Sequence, residues 1–274
     1  MPALTITQRL DLLHDMRRPS IYDYIPAIFT EFTEFHGDRH FADDPAVLGG
    51  VALLGEVPVT VAAQVKGRDI AELQKANFSM PHPEGYRKAL RLARQAEKFR
   101  RPVICFVDTP GAFPGVGAEE RGQGEAIARN LMEFMTLKTP VITVILGEGG
   151  SGGALAMGVC DELALLENAL YSVISPRGFA SILWKDASRE REAAGLMKIC
   201  SEDLLGFGVC ERIINEPEGG AHNDIPLMAK NIADYLKDAV ARFSALETEV
   251  LLERRYAKFR KIGCFTEPPG QAGG

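Results

Sequence analysis

The chain has 274 residues and a mass of 29.9 kDa; 46% of its residues are hydrophobic and 25% charged, which excludes disorder as its main state. Lys and Arg total 31 against 37 Asp and Glu, leaving a net charge of −6 and no basic footprint for nucleic acid. Five Cys (105, 160, 200, 210 and 264) include no C-x-x-C zinc spacing, no apolar run approaches the ~20 residues of a membrane span, and Arg9, Asp11, Asp15, Arg17 and Arg18 replace a signal peptide's apolar stretch, so a cytoplasmic protein is expected.

Residues 4–18 and 20–35 carry helical periodicity. Ile21, Tyr24, Ile25, Ile28 and Phe32 recur every three to four positions, with Ser20 placed as N-cap. Residues 51–54 and 59–65 are β-rich and flank Gly55-Glu56-Val57-Pro58, which predicts a hairpin. Pro58 has no N–H to give a ladder and suits a strand edge. Residues 84–99 predict a long amphipathic helix. Two strand–loop–helix units follow: strand 103–107, loop 108–115 and helix 118–137, then strand 141–146, loop 147–153 and helix 154–159. Strands over 163–166 and 171–174, helix over 178–206, a short strand over 210–214 and mostly helix over 223–261 complete the pattern. Such alternation predicts one α/β domain, with helices covering a sheet. Pro and Gly dominate residues 268–274, which read as a flexible tail.

The densest chemical signal is five glycines in the seven positions 147–153. They follow a strand and open a helix of small residues. N–H groups at a helix start have no internal acceptor, and the helix dipole adds positive potential there. Glycines remove the Cβ atoms that would hold a ligand away. Such a place binds phosphate, carboxylate or a developing oxyanion. The loop after the preceding strand, Asp108-Thr109-Pro110-Gly111-Ala112-Phe113-Pro114-Gly115, is a second candidate, and both loops stand at the ends of successive strands. Lys66-Gly67-Arg68, after strand 59–65, offers a basic turn for a carboxylate or phosphate.

Other chemistries are weaker. Gly147, Gly149 and Gly152 spell G-x-G-x-x-G, with Glu167 twenty residues after Gly147, the dinucleotide-binding pattern. The helix that follows has only about two turns, and a long α/β segment precedes it, both unusual for that fold. Ser151 is the sole hydroxyl of the second loop, and the His residues at 14, 36, 40, 82 and 222 all lie outside the strands that follow it, so a peptidase-type Ser–His pair has no support. A non-catalytic scaffold is a further alternative. The chemistry implied is electrostatic, with backbone donors meeting a developing negative charge.

Several stretches together resemble one family. They are Lys66-Gly67-Arg68, Pro83-Glu84-Gly85-Tyr86-Arg87-Lys88-Ala89-Leu90-Arg91, the loop from Asp108 through Ala118-Glu119-Glu120-Arg121-Gly122-Gln123, the glycine run, Tyr171-Ser172-Val173-Ile174-Ser175-Pro176 and Ala180-Ser181-Ile182-Leu183-Trp184-Lys185. The chain is similar to the carboxyltransferase α subunits of bacterial acetyl-CoA carboxylase over about residues 20–263. The resemblance implies a ClpP/crotonase-type ββα spiral with additional peripheral helices. It implies an N-terminal helical segment over 1–19, a carboxyltransferase domain over 20–263 and a tail over 264–274.

The resemblance also implies carboxyl transfer from carboxybiotin to acetyl-CoA, giving malonyl-CoA for fatty-acid synthesis. A β subunit would complete the site, in an α2β2 assembly, and would carry the zinc, with no metal in this chain. A biotin carboxyl carrier protein would deliver the biotin, and a separate biotin carboxylase would use the ATP. Neither a membrane nor a nucleic acid is implied as a partner. On this sequence the family's oxyanion hole falls on the N–H groups of Gly152 and Gly153, with Gly111 and Ala112 as a second backbone loop. Gly149, Gly150, Ser151, Lys66 and Arg68 are the expected substrate-binding residues. Three departures stand out: a short N-terminal extension, Arg177 where many relatives carry Glu, and Phe179 in place of a smaller residue.

Overall fold

A computed structural model describes residues 4–263. The expected tail over 264–274 and Cys264 lie outside the described residues. Helix α1 (Ile6–Leu13) is closed by a Thr5–Gln8 capping box and α2 (Ile21–Ile28) by Ser20 and Asp23, as the Ser20 signal required. The expected helix over 20–35 stops early. Pro26 removes an N–H inside α2, and Thr30–Glu34 turns into strand β1, paired antiparallel with β2 (Val47–Leu54). An isolated strand's periodicity could not show that pairing.

Strand β2 forms the expected hairpin with β3 (Val57–Gln64) around Gly55 and Glu56. Pro58 sits opposite Leu53, and β3 does not meet its other neighbour until Thr60, so the missing N–H falls where no ladder exists. After α3 (Ile70–Lys75) and α4 (Pro83–Lys98) come β4 (Val103–Thr109), α5 (Val116–Glu120), α6 (Gln123–Thr136), β5 (Val141–Gly150) and α7 (Ser151–Leu155). The single helix expected over 118–137 is two, because Gly122 adopts a left-handed φ of 84° between α5 and α6. Next are β6 (Glu162–Leu166), β7 (Leu170–Ser172), α8 (Pro176–Trp184), α9 (Glu190–Met197), α10 (Ser201–Gly206), β8 (Arg212–Ile214), α11 (Ile225–Ser244) and α12 (Thr248–Arg260). The stretch expected as helix over 178–206 is broken by Lys185 and Lys198, both at a left-handed φ of 56°.

The strands make one mixed sheet in the order β1-β2-β3-β4-β5-β6-β8. From β3 to β8 neighbouring strands are parallel, and every residue of β4 is buried, as expected where helices cover both faces. Strand β5 forks. Its first half pairs with β6 through Ile142–Ile145, and its end pairs with β7 through Glu148, Gly149 and Gly150. The N-terminal segment is docked onto this core. Leu10 and Leu13 pack with Leu170, Ala194 and Ile199, and Arg18 pairs with buried Glu216 while donating to the Leu146 carbonyl at 2.6 Å. No described helix is long and apolar enough to cross a membrane.

Candidate active site

The glycine run is not the loop its composition suggested. Residues 147–150 continue β5, because β7 supplies a parallel partner to Glu148, Gly149 and Gly150. The chain then turns directly into α7 at Ser151, the first helical residue, whose φ of 53° lies in the left-handed region. A non-glycine residue there is held against a cost of about 1–2 kcal/mol, a strain that collects at functional sites.

The glycines are explained by the first loop. A Cβ on Gly153 would stand 2.6 Å from the Ala112 nitrogen and the Gly111 carbonyl carbon, and one on Gly150 would collide with the Pro110 carbonyl. The two loops therefore meet backbone to backbone, and the structure brings Gly111 and Ala112 against Gly150 and Gly153. Gly152 differs: its missing Cβ faces only the Ile127 methyls, at 3.6 and 3.8 Å.

Beside α7 lies an open groove of about 320 Å³, lined by Ser151, Gly152, Leu155, Tyr171, Ser172, Val173, Leu204 and Val209. Its walls are largely apolar. A smaller crevice next to it includes Pro110, Glu148, Gly149 and Gly150. Gly152 thus reaches the groove, while Gly153 is buried behind it. No side chain of the groove is a base near neutral pH, and burial pushes the Tyr171 hydroxyl well above its ordinary pKa.

The far end of α7 is fully engaged. Asn130 donates to the Ala156 carbonyl at 3.3 Å, Thr143 to that of Met157 at 2.8 Å, and Gln64 to that of Gly153 at 2.7 Å. Three elements hold the helix from behind, while the N–H groups of its first turn have no intrahelical acceptor. Asp108, fully buried at the end of β4, accepts from the Glu148 N–H at 2.9 Å. Burial pushes its carboxyl up, against the opposing pull of Lys66 and Arg18.

Comparisons with known proteins identify the family and the fold. The family described as acetyl co-enzyme A carboxylase carboxyltransferase-like matches residues 1–263. The acetyl-coenzyme A carboxylase carboxyl transferase subunit alpha of Clostridium acetobutylicum is 58% identical over 264 residues, 96% of each chain. The chain belongs to this family.

A further relative, from Clostridium tetani, is named as carboxyl transferase subunits beta/alpha; it is 51% identical across 93% of this chain, which spans 44% of that longer protein. Among solved structures, a transcarboxylase 12S chain superimposes with a TM-score of 0.68 at 16% identity, over 100% of this chain and 49% of that one. The Pseudomonas malonate decarboxylase MdcD–MdcE heterodimer gives 0.64 at 19% identity, over 79% of this chain and 89% of that one. These likenesses support the crotonase-type fold, with helices α8 to α12 around it.

Two expected substrate residues lie elsewhere than the groove in this family member. Lys66 faces Glu148, with its Nζ 3.9 Å from Oε2 and 3.4 Å from the Leu13 carbonyl. Burial works against the Glu148 charge, but His14 and Lys66 outweigh it and hold that carboxyl below its usual range. Arg68 is spent on Glu72 at 2.6 Å, with Asp23 at 3.8 Å and the Tyr22 ring beneath it. Arg177 is exposed on α8, and Phe179 packs edge-on against Trp184 at 5.7 Å.

The alternative chemistries lose their geometry. Glu167, the acid of the dinucleotide pattern, accepts from the Glu216 N–H at 3.0 Å. His82 is bonded to Asn77 at 2.8 Å and stacked on Phe113, and His222 stands 3.7 Å from Asp15, so neither pairs with Ser151. Among the described residues no group of His, Cys, Asp and Glu could hold a metal ion. Sequence reasoning missed Gln64 and Leu204. A lone amide in the apolar run Val59–Gln64 was the available signal for the first, since a buried amide needs partners.

Proposed function

We propose that this chain is the α subunit of an acetyl-CoA carboxylase carboxyltransferase, moving a carboxyl group from carboxybiotin to acetyl-CoA to give malonyl-CoA. The observation that carries the reading is the first turn of α7, whose backbone donors border an apolar groove while its other end is held by Gln64, Asn130 and Thr143. The N–H groups of Gly152 and Gly153 bind the ureido oxygen of biotin, and Gly111 and Ala112 form the wall that fixes Gly153. The groove fits the group chemically: apolar sides for a bicyclic ring, fixed donors for one oxygen, and no side-chain cation in its lining.

Loss of the carboxyl group would place negative charge on that oxygen, where the Gly152 and Gly153 N–H groups would hold it. Donors already aimed at it lower the barrier, and one such donor is worth about 3 kcal/mol. Leu155, Val173, Leu204 and Val209 supply the apolar sides of the groove beside those donors. Biotin supplies the carboxyl carrier and, once the carboxyl is released, a ring nitrogen basic enough to take the methyl proton of acetyl-CoA. That chemistry accounts for a groove without a side-chain base. Ser151 lines the groove and Gly149 and Gly150 the crevice next to it, whereas Lys66 tunes Glu148 in that crevice and Arg68 is left to surface pairing.

The acetyl-CoA half of the site and the zinc belong to a β subunit in an α2β2 assembly. A biotin carboxyl carrier protein and an ATP-using biotin carboxylase complete the cytoplasmic system, and the Clostridium tetani relative joins beta and alpha in one chain. Within this chain, residues 1–19 are the N-terminal helical segment, docked over its described residues 4–19, and 20–263 the carboxyltransferase domain. The test is reconstitution with a zinc-bearing β subunit, carboxybiotin and acetyl-CoA. Malonyl-CoA is expected from the pair and from neither chain alone. Formation by this chain alone, or none by the pair, overturns the assignment.

A further inference from the structure

Gln64 is the last residue of β3 and is fully buried. Its place in the ladder is peculiar. Pairing between β3 and β4 ends at Ala63 with Phe106, and the β4–β5 register slips between Val107 and Thr109. Asp108 falls at that slip, and its N–H goes to the side-chain oxygen of Gln64 at 3.2 Å. The same amide donates its Nε2 to the Gly153 carbonyl at 2.7 Å. One side chain therefore ties the strand that leads into the first loop to the helix that opens after the second.

The Gly153 carbonyl is available because α7 is so short. A longer α-helix would give it the Met157 N–H, but that group bonds to Ala154 at 3.1 Å instead. Gln64 replaces the lost helical bond from outside the helix. This matters at Gly153, which has no Cβ and the widest backbone freedom of any residue type. Its carbonyl and its N–H hang on the same α-carbon, so a hold on the first restricts the direction of the second.

We infer that Gln64 is a positioning residue, which sets the aim of the Gly152 and Gly153 N–H groups without touching substrate. The inference rests on the proposed role of those two donors. At neutral charge the amide alone does both jobs without taking up a proton: an ionised carboxylate accepts from Asp108 but cannot donate to Gly153, and a thioether only accepts, weakly. An error of about 1 Å in the placement of reacting groups costs roughly a hundredfold in rate.

The test uses the assembled α–β complex with Gln64→Met, with Gln64→Glu assayed up to the alkaline limit of the wild-type complex so that its carboxyl is ionised, and, as a baseline, Thr139→Val, which loses a buried hydroxyl's 2.8 Å bond to the Arg101 carbonyl away from both loops. For the two Gln64 variants kcat falls about a hundredfold, with KM for both substrates within about twofold. Amide exchange across residues 147–156 rises in both. Thr139→Val lowers the melting temperature but leaves kcat within about threefold. Unchanged kcat and exchange in Gln64→Glu, or equal kcat losses in all three variants, overturn the inference. Should Gln64→Met fail to assemble, Gln64→Glu alone decides, because its ionised carboxylate keeps the Asp108 bond and loses only the donation to Gly153, so its kcat falls relative to wild type as pH rises. A wild-type complex without carboxyl transfer defeats the parent reading instead, and the exchange measurement still reports on Gln64.

Discussion

Two buried polar regions of this molecule are built to opposite rules. Beneath α12, the guanidinium of Arg255 is fully enclosed and every one of its nitrogens has a partner. It meets both Asp161 oxygens at 2.8 and 2.7 Å and the carbonyls of Phe134, Leu137 and Thr139 at 2.8, 2.8 and 3.0 Å. At the first turn of α7, backbone N–H donors border a groove, with the anchoring on the other side of the helix. The first arrangement finishes its hydrogen bonds inside the fold and ties α12 to the ends of α6 and β5. The second keeps donors in reserve for a charge that forms only during reaction. A protein can hold both because polar satisfaction is local: each region is judged by its own partners.

The comparison breaks most visibly at Gly153. Gly153→Val drives side-chain atoms into Gly111 and Ala112, and we expect carboxyl transfer by the complex to fall at least a thousandfold, measured as malonyl-CoA formed. At the knot the currency is stability. Arg255→Met leaves Asp161 charged and buried without its counter-ion, holding only the Val141 N–H, and denaturant unfolding should show a loss of about 3–5 kcal/mol. The fraction that stays folded at low temperature should keep kcat within about threefold.

Gly152→Ala sharpens the contrast between neighbouring glycines. Its new methyl meets only Ile127 at ordinary contact distance, and its N–H survives, so activity within about tenfold of wild type is expected from the same assay. The smallest effect concerns a third pair, buried Lys88 with partly exposed Asp43. Burial opposes the Asp43 charge, but Lys88, the Gly37 N–H and His36 outweigh it and hold its pKa at about 2. A carboxyl lowered in the folded state stabilises fully above its ordinary value and loses that contribution as pH falls through the folded one. Melting temperatures between pH 4 and pH 2 should therefore fall more steeply for wild type than for Asp43→Asn.

Much of this was legible in the sequence, for a physical reason. The apolar runs of β4 and β5, the hairpin at Gly55 and the amphipathic α4 are specified by local pattern, and all appear near their expected bounds. The glycine run was legible as a site because close backbone approach needs glycine whatever strand or turn surrounds it. What stayed hidden depends on distant partners. Residues 147–150 became strand because β7 reaches them, and residues 30–34 because β2 does. Lys66 carries the pattern of an anion binder, and the carboxylate that stands against it, Glu148, is far along the chain; the Arg68 partner, Glu72, is four residues on and was within reach of the sequence. Gln64 could be flagged as a buried amide, but neither of its partners, forty-four and eighty-nine residues away, is written near it.

The central claim is that the N–H groups of Gly152 and Gly153 are reserved for one oxygen of the biotin ureido group. The most direct test is a crystal structure of the complete complex with the biotinylated carrier bound. The account predicts the ureido oxygen at about 2.7–3.1 Å from both nitrogens, with the ring in the groove beside Leu155 and Val173. A ureido oxygen held by other groups, with these two nitrogens facing water, would contradict it.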